Sequence, residues 1–433
     1  MALQENRKLD RIAVVGGGTA GYVTTLFLCS TYPNKEIRWI YPEDNITIGV
    51  GEAIVPYVSN FMDKAGISIK DVIRECKGTL KLGIKFKDFR RVGHEFTFPF
   101  GIDAEESAKI SKIMETGKIP NDMLDYQDIS NHFDVNDLMS YMDQVFDTFD
   151  NLTVERRTVK LAELSDDMVI DCTGFSRNIF DDAAPTATNF VDISSIIPNN
   201  EALIYRADYS DINTQRKPFS TFTGMKSGWS WEIPMKDKIG IGYVFPEGAN
   251  VEDEFLEYLC DYFDRDVKLE DLNRVPMKTG RNEEHIIESE NQTVVSVGLS
   301  SFFIEPIEST GLYLVVRAIE MLKEYIDGNS TSGQFNEAFN HEFDTVLDFI
   351  IAHYKYSDRP EQYWKDYSNI ESALFGENNL FPKEAWTFIL GGFEQNPEGY
   401  DKLINNEISD KDLLNIIKGT DYNDWLNDES NFK

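Results

Sequence analysis

Three glycines in G16-G17-G18-T19-A20-G21 stand directly after the apolar run R11-I12-A13-V14-V15 and before a stretch with helical spacing. A G-x-G-x-x-G pattern between a strand and a helix suits a dinucleotide. It allows a tight turn, close backbone approach to a pyrophosphate, and a helix N-terminus that favours the charge. Gly16, Gly18, Thr19, Ala20 and Gly21 are therefore candidate cofactor contacts, and the alternative is an ordinary strand–helix turn. The acid that usually meets a ribose at the end of the second strand is replaced by Tyr41, with Glu43 and Asp44 following. Two more loops belong to the same chemistry or are plain turns: I48-G49-V50-G51-E52-A53-I54-V55-P56 and D171-C172-T173-G174-F175. In W229-S230-W231-E232-I233-P234 the two tryptophans share one face of a strand, which by burial preference reads as core.

The elements that must position these residues follow from periodicity. Residues 11–41 form a β-α-β unit, and a helical stretch covers about 58–76. L80-K81-L82-G83-I84-K85-F86 reads as one strand, residues 104–150 as mostly helical and polar, and 151–171 as strands. Residues 200–245 alternate like antiparallel sheet. Helices are predicted from Gly311 to Glu324 and from Phe335 to Tyr356, followed by a loose acidic C-terminal region. The fold class is α/β with a second, antiparallel sheet.

Lys+Arg number 42 and Asp+Glu 75, a formal charge of −33, which repels nucleic acid and anionic membrane. Hydrophobic residues make up 41 %, too many for a disordered acidic chain. The four cysteines (Cys29, Cys76, Cys172, Cys260) form no C-x-x-C pair, and His132, His285, His341 and His353 show no metal spacing, so neither a disulfide framework nor a metal is expected. Ile12 to Asn34 carries no charge and imitates a signal or anchor, but Gly16, Gly17, Gly18 and Gly21 interrupt it. A cytoplasmic protein without a targeting segment is expected.

Taken in order, G16-x-G18-x-x-G21, G49-V50-G51-E52-A53, the lysine in T79-L80-K81-L82-G83-I84-K85-F86, W229-x-W231-x-I233-P234 and E305-P306-I307-E308-S309-T310-G311 resemble flavin-dependent halogenases of the tryptophan halogenase type, over roughly residues 11–325. The chain looks most like the compact, phage-type members. The resemblance implies a Rossmann-like FAD-binding domain of the aromatic-hydroxylase monooxygenase fold, with an interleaved antiparallel substrate region. Its FAD module would span 1–330, and a mainly helical part, 331–433, would complete the substrate side. It implies a two-component oxidoreductase fed FADH2 by a separate flavin reductase. In such an enzyme reduced flavin and O2 would give a flavin hydroperoxide, which would oxidise halide (chloride, bromide or iodide) to hypohalous acid, and Lys81 would pass the halogen to a small aromatic substrate.

On this resemblance Lys81 hydrogen-bonds the hypohalous acid or becomes a haloamine; on residue pattern alone L80-K81-L82 also permits a surface lysine. Glu308 is the catalytic glutamate, though an acid ahead of an apolar helix is also favourable there. Thr310 and Gly311 form the halide site at a helix start, Ser309 links cofactor and active site, and Trp229 and Trp231 separate flavin from the substrate tunnel. Gly49, Gly51, Ala53, Asp171 and Gly298 join the FAD side. Where family tryptophan enzymes carry an F-Y-H-P-F-G-like stretch, F96-T97-F98-P99-F100-G101 has Phe98 at the histidine position, with His94 nearby. This points away from free tryptophan alone and towards a phenol or indole. Tyr363, Trp364, Tyr367 and Trp386 line that pocket or simply pack. A homo-oligomer is expected. The alternatives are a single-component aromatic monooxygenase and a flavin-binding module without catalysis.

Overall fold

A computed structural model gives the architecture and describes residues 9–44, 51–101, 103–184, 190–368, 370, 380–404 and 408–432. Strand Arg11–Val15 is central in a six-stranded sheet whose order is 286–288, 293–296, 168–171, 11–15, 36–41, 152–156. All neighbours are parallel except the 286–288/293–296 hairpin. Ile12, Ala13 and Val14 are completely buried, as a strand covered on both faces requires. Helix Thr19–Thr31 follows and is buried along most of its length, packed against helices Val135–Phe146 and Thr310–Ile326. That is why the run from Ile12 to Asn34 lacks charge: its helix is covered nearly all round by protein. Among the described residues no helix is long and apolar enough to cross a membrane.

A second, seven-stranded sheet runs 273–276, 199–208, 238–246, 228–234, 220–225, 83–87, 95–99, antiparallel except for the 83–87/220–225 pair. The tryptophan strand Gly228–Pro234 lies inside this sheet and is buried throughout. A small third sheet joins 52–53, 130–133 and 79–81.

Several elements differ from their expectation. Residues 80–86 are not one strand: Thr79–Lys81 belongs to the small sheet and Gly83–Lys87 to the large one. The chain changes sheets at Leu82, whose N–H donates to the Pro218 carbonyl (2.8 Å) and whose own carbonyl accepts from Phe100 N–H (2.8 Å). The stretch 58–76 is two helices, Pro56–Lys64 and Ile69–Glu75, the second started by a Ser68/Asp71 capping box that periodicity alone misses. Strand Ser130–Phe133 interrupts the helical region 104–150. The C-terminal region is not loose: Tyr422, Trp425 and Phe432 are buried in a core with Leu80 and Ile110, and Thr420–Asp421 pairs with Lys118–Ile119. Acidic residues there occupy the outer faces of short helices whose apolar positions were too sparse to signal packing.

Candidate active site

Between the two large sheets lies a cavity of about 320 Å³ with mainly apolar walls. Its floor is the turn after the first strand. Gly16 has φ +128°, and a Cβ there would sit 2.1 Å from the Cys172 carbonyl oxygen, so the glycine is demanded by protein packing. Gly18 differs: an added Cβ would meet nothing within 4 Å, and Gly18 lines the cavity with Thr19 and Ala20. One glycine makes the turn and the other leaves its backbone open to a ligand. Gly21 packs on Gly16 inside the fold. Gly51, Ala53 and Gly298 line the cavity, whereas Gly49 lies outside the described residues.

Asp171 is buried, and its carboxylate accepts the backbone N–H groups of Thr173 (2.7 Å), Ile179 (3.1 Å) and Phe180 (2.7 Å). It holds the loop that carries Cys172 and Gly174 to the cavity. Glu52, between Gly51 and Ala53, also lines the cavity, where burial pushes its carboxyl up to about 7. Trp231 contributes its ring, accommodated because a side chain at Gly242 would sit 2.0 Å from it. Its Nε1 is buried without a hydrogen-bond partner among the described residues, a donor left over beside the cavity. Trp229, two residues earlier, is wholly buried and donates from Nε1 to Tyr354 Oη (3.0 Å).

Past the cavity comes the turn Glu305–Gly311, in which Glu308 (φ 63°) and Ser309 (φ 57°) both adopt the left-handed conformation that non-glycine residues seldom hold. Two such residues in succession cost on the order of 1–3 kcal/mol each, and surrounding contacts fix them. Tyr354 donates to Glu305 (2.5 Å), Asn199 donates to its other oxygen (2.6 Å), and His353 Nε2 lies 2.8 Å from Glu308 Oε1. The turn sends Ser309 into the cavity wall and Glu308 to His353. Helix Thr310–Ile326 begins here, with Gly311 in the cavity wall and Thr310 Oγ1 buried without a partner among the described residues. The first N–H groups of a helix and an unused hydroxyl donor suit an anion.

Lys81 is fully buried, which excludes the surface alternative. Its Nζ donates to Ser309 Oγ (2.7 Å) and lies 5.3 Å from the centre of the Phe100 ring. Burial pulls its pKa down to about 7, opposed by the negative field of Glu308. His132, on the neighbouring strand, is pushed well below its ordinary value by burial and by Lys81. Thr79 Oγ1 spends its proton on the Pro234 carbonyl (2.5 Å), so it accepts from His132 Nδ1 (3.0 Å), and His132 Nε2 then accepts from Ser220 (2.9 Å). That neutral histidine brings no second cation to Lys81.

Of the two substrate candidates, Phe98 packs near Phe100 and Phe388 (ring centres 6.1 and 5.6 Å). His94 lies four residues away along an extended strand, roughly 13 Å at the usual rise, with Nε2 3.7 Å from Glu394. The structure places it at the far end of that strand from Phe100 and Lys81. Tyr363 and Trp364 are buried packing residues, and Trp364 donates to the Met225 carbonyl. Trp386 meets Phe349 edge-on at 4.9 Å, and Phe349 in turn packs on His353. His353 carries no local signal in the sequence, because its partner Glu308 lies 45 positions away.

A model of the tryptophan halogenase family matches residues 11–130 and 143–407. Tryptophan 7-halogenase RebH of Lentzea aerocolonigenes is 28 % identical over 423 residues, covering 83 % of this chain and 78 % of its own. 7-Chloro-L-tryptophan 6-halogenase KtzR of Kutzneria sp. is 27 % identical over 427 residues, covering 82 % and 81 %. Among solved structures, a tryptophan halogenase from Shewanella frigidimarina superposes with TM-score 0.82 at 20 % identity over 99 % of both chains. BrvH, a flavin-dependent halogenase from Brevundimonas sp. BAL3, gives 0.78 at 22 % identity over 97 % of this chain and 99 % of its own.

Proposed function

The chain belongs to the tryptophan halogenase family and is a flavin-dependent halogenase of an aromatic; on that premise we propose that Lys81 carries the halogen and Glu308 takes the proton it replaces. The observation that carries the reading is the contact of Lys81 Nζ with Ser309 Oγ, because Lys81 is wholly buried and Ser309 lines the cavity. One side chain therefore connects the cofactor's space to the reactive amine.

The residues fit FAD. The open backbone at Gly18 admits a pyrophosphate, the apolar walls around Trp231, Ile233 and Phe302 suit a flavin ring, and the unused Trp231 N–H offers it a donor. When bound and reduced, FAD supplies with O2 the oxidising equivalents that turn halide into hypohalous acid. Thr310 and Gly311 hold the halide with the dipole of their helix, against a net charge of −33 that otherwise repels it. Trp231 occupies the wall and keeps the organic substrate from the cofactor, while Trp229 supports it from the core. A pKa of about 7 gives Lys81 an available lone pair near neutral pH. The N–X bond forms as the O–X bond of the hypohalous acid breaks and water leaves; the N–X bond then breaks as the halogen passes to the ring carbon, and the ring proton, received by Glu308, returns to the lysine nitrogen and restores the amine.

The substrate we propose is a phenol or indole and not free tryptophan alone, because Phe98 stands where family tryptophan enzymes carry a histidine, and its ring packs near Phe100, whose ring centre lies 5.3 Å from Lys81 Nζ. A separate flavin reductase supplies FADH2. The test incubates a panel of phenols and indoles with the protein, FAD, a flavin reductase and NADH in air, with chloride, bromide or iodide, and reads products by mass spectrometry. Halogenated product absent from the Lys81→Ala control is expected. Hydroxylated product would favour the single-component monooxygenase, which family membership disfavours.

A further inference from the structure

We propose that His353 is a positioning residue that holds Glu308 as a carboxylate ready to take a proton, through an imidazolium whose two N–H groups are aimed at the Phe349 carbonyl and at Glu308. The inference rests on the role of Glu308 proposed above. His353 sits on helix Ser332–Lys355 and is fully buried. Its Nδ1 lies 3.0 Å from the Phe349 carbonyl oxygen. A carbonyl has no proton to give, so Nδ1 carries one. Its Nε2 lies 2.8 Å from Glu308 Oε1. Two bare acceptors at that distance would repel, so the pair holds a proton between them.

The rings of Phe86 and Phe349, with centres 5.3 and 5.4 Å away, fix the imidazole plane. Among the described residues, the charged and titratable groups around the pair include Lys81, Glu305, Tyr354 and His132. Lys81 feels the field of Glu308. Glu305 feels His353, while Tyr354 and Asn199 hydrogen-bond its oxygens. His132, beyond Lys81, is kept neutral by burial and by Lys81. With the shared proton on Nε2, Glu308 stays anionic and engaged through Oε1, leaving Oε2 to act. When halogen has added to the ring, the C–H bond at that carbon breaks, its electron pair returns to the ring, and the proton goes to Glu308. The imidazolium also offsets the carboxylate's charge as felt by Lys81. Without it a bare anion faces Lys81 and holds it as ammonium to higher pH.

The test compares His353→Gln and His353→Leu with wild type. Glutamine donates a hydrogen bond to Glu308 yet cannot carry the imidazolium charge, so it restores a merely structural role and not the proposed one. With indole, bromide, FAD, a flavin reductase and NADH, both variants should brominate about tenfold to a hundredfold more slowly. The rise of rate with pH should move upward, while FAD binding stays as in wild type. Wild-type turnover and pH profile in His353→Gln would overturn the proposal. Independently, ¹⁵N-histidine spectra of the flavin-free protein at pH 7, with the signal assigned by its loss in His353→Gln, should show Nδ1 and Nε2 both protonated, and a bare Nε2 would overturn the proposal. A bare Nδ1 would overturn it as well. If wild type makes no halogenated product from any phenol or indole, the functional reading falls, and the ¹⁵N spectrum still decides the state of His353.

Discussion

The turn Glu305–Gly311 separates two regions built on opposite principles. On the cavity side the walls are apolar side chains and exposed glycine backbone, and among the residues lining it Glu52 is the one carboxylic acid. On the other side Lys81, Glu308, His353, Glu305 and Tyr354 are all buried and all polar. The cavity is made by omission of side chains, so it costs the fold little. The polar cluster removes several ionisable groups from water, which is tolerable only because neighbouring groups bond them. An open apolar cavity and a buried polar cluster thus carry different liabilities: the first fails by obstruction and the second by loss of a partner.

The largest effect breaks this division at its reactive end. Lys81→Ala should lower halogenated product by about a thousandfold or more, the scale expected when an essential nucleophile is removed, while FAD affinity measured by flavin fluorescence stays within about twofold. A parallel loss of FAD would mean that the two regions are not separable. Next in size are two glycines of one turn with different failures. Gly18→Leu should fold normally and bind FAD at least about a hundredfold more weakly, since the side chain enters ligand space. Gly16→Ala, forced against the Cys172 carbonyl with φ +128°, should destabilise the protein by about 2–4 kcal/mol. Urea unfolding and FAD titration of both variants check this, and equal behaviour would erase the distinction between a packing glycine and a ligand glycine.

Stability against pH sharpens the contrast. The Lys81 amine has its pKa near 7 when folded, against 10.5 ordinarily. Between those values the unfolded chain binds a proton that the folded one lacks, so this residue's contribution to stability rises with pH across the window, and the penalty is complete below pH 7. At about 1.4 kcal/mol per tenfold change in the proton equilibrium, the penalty amounts to a few kcal/mol at most. Lys81→Met should therefore be inactive and more stable than wild type, by roughly 1–3 kcal/mol at pH 6.5, with the gain shrinking towards pH 9.5. Urea midpoints at the two pH values measure it; a gain that grows with pH would contradict the burial of a reluctant ammonium.

The two regions were unequally legible in the sequence. The cofactor turn is local: strand, glycines and helix lie within residues 11–31, and their spacing carries its own physics. The burial of Lys81 had no such signal, because L80-K81-L82 alternates as an exposed edge would, and its environment comes from a change of sheet at Leu82 and from chain far away. Tyr422, for example, accepts the N–H of Leu80 across 342 positions. Family resemblance supplied Lys81 and Glu308 where local pattern could not. His353 escaped both, since an accepting carbonyl four residues back on its own helix becomes informative only once Glu308 is placed opposite. Asp171 reads in sequence as a strand-end acid at a cofactor edge, and the structure adds what no local pattern shows, that its oxygens accept backbone N–H groups of the following loop.

Ser309 belongs to both regions and gives the smallest effect, yet the one that tests their connection most directly. Its hydroxyl accepts from Lys81 at 2.7 Å while the residue lines the cavity. Ser309→Ala removes that acceptor but leaves the left-handed turn, the burial of Lys81 and the Glu308–His353 pair in place. The lost hydrogen bond had stabilised the ammonium, so Lys81 should become neutral at a lower pH and the rise of halogenation with pH should begin earlier. The lysine also loses its tether, which is worth about 1 kcal/mol, so turnover at pH 8 should fall by about fivefold to tenfold. A pH–rate profile of bromide incorporation reads both changes. An earlier onset with a lower plateau is what a connecting serine predicts, and an unchanged profile would mean that cavity and amine communicate by some other route.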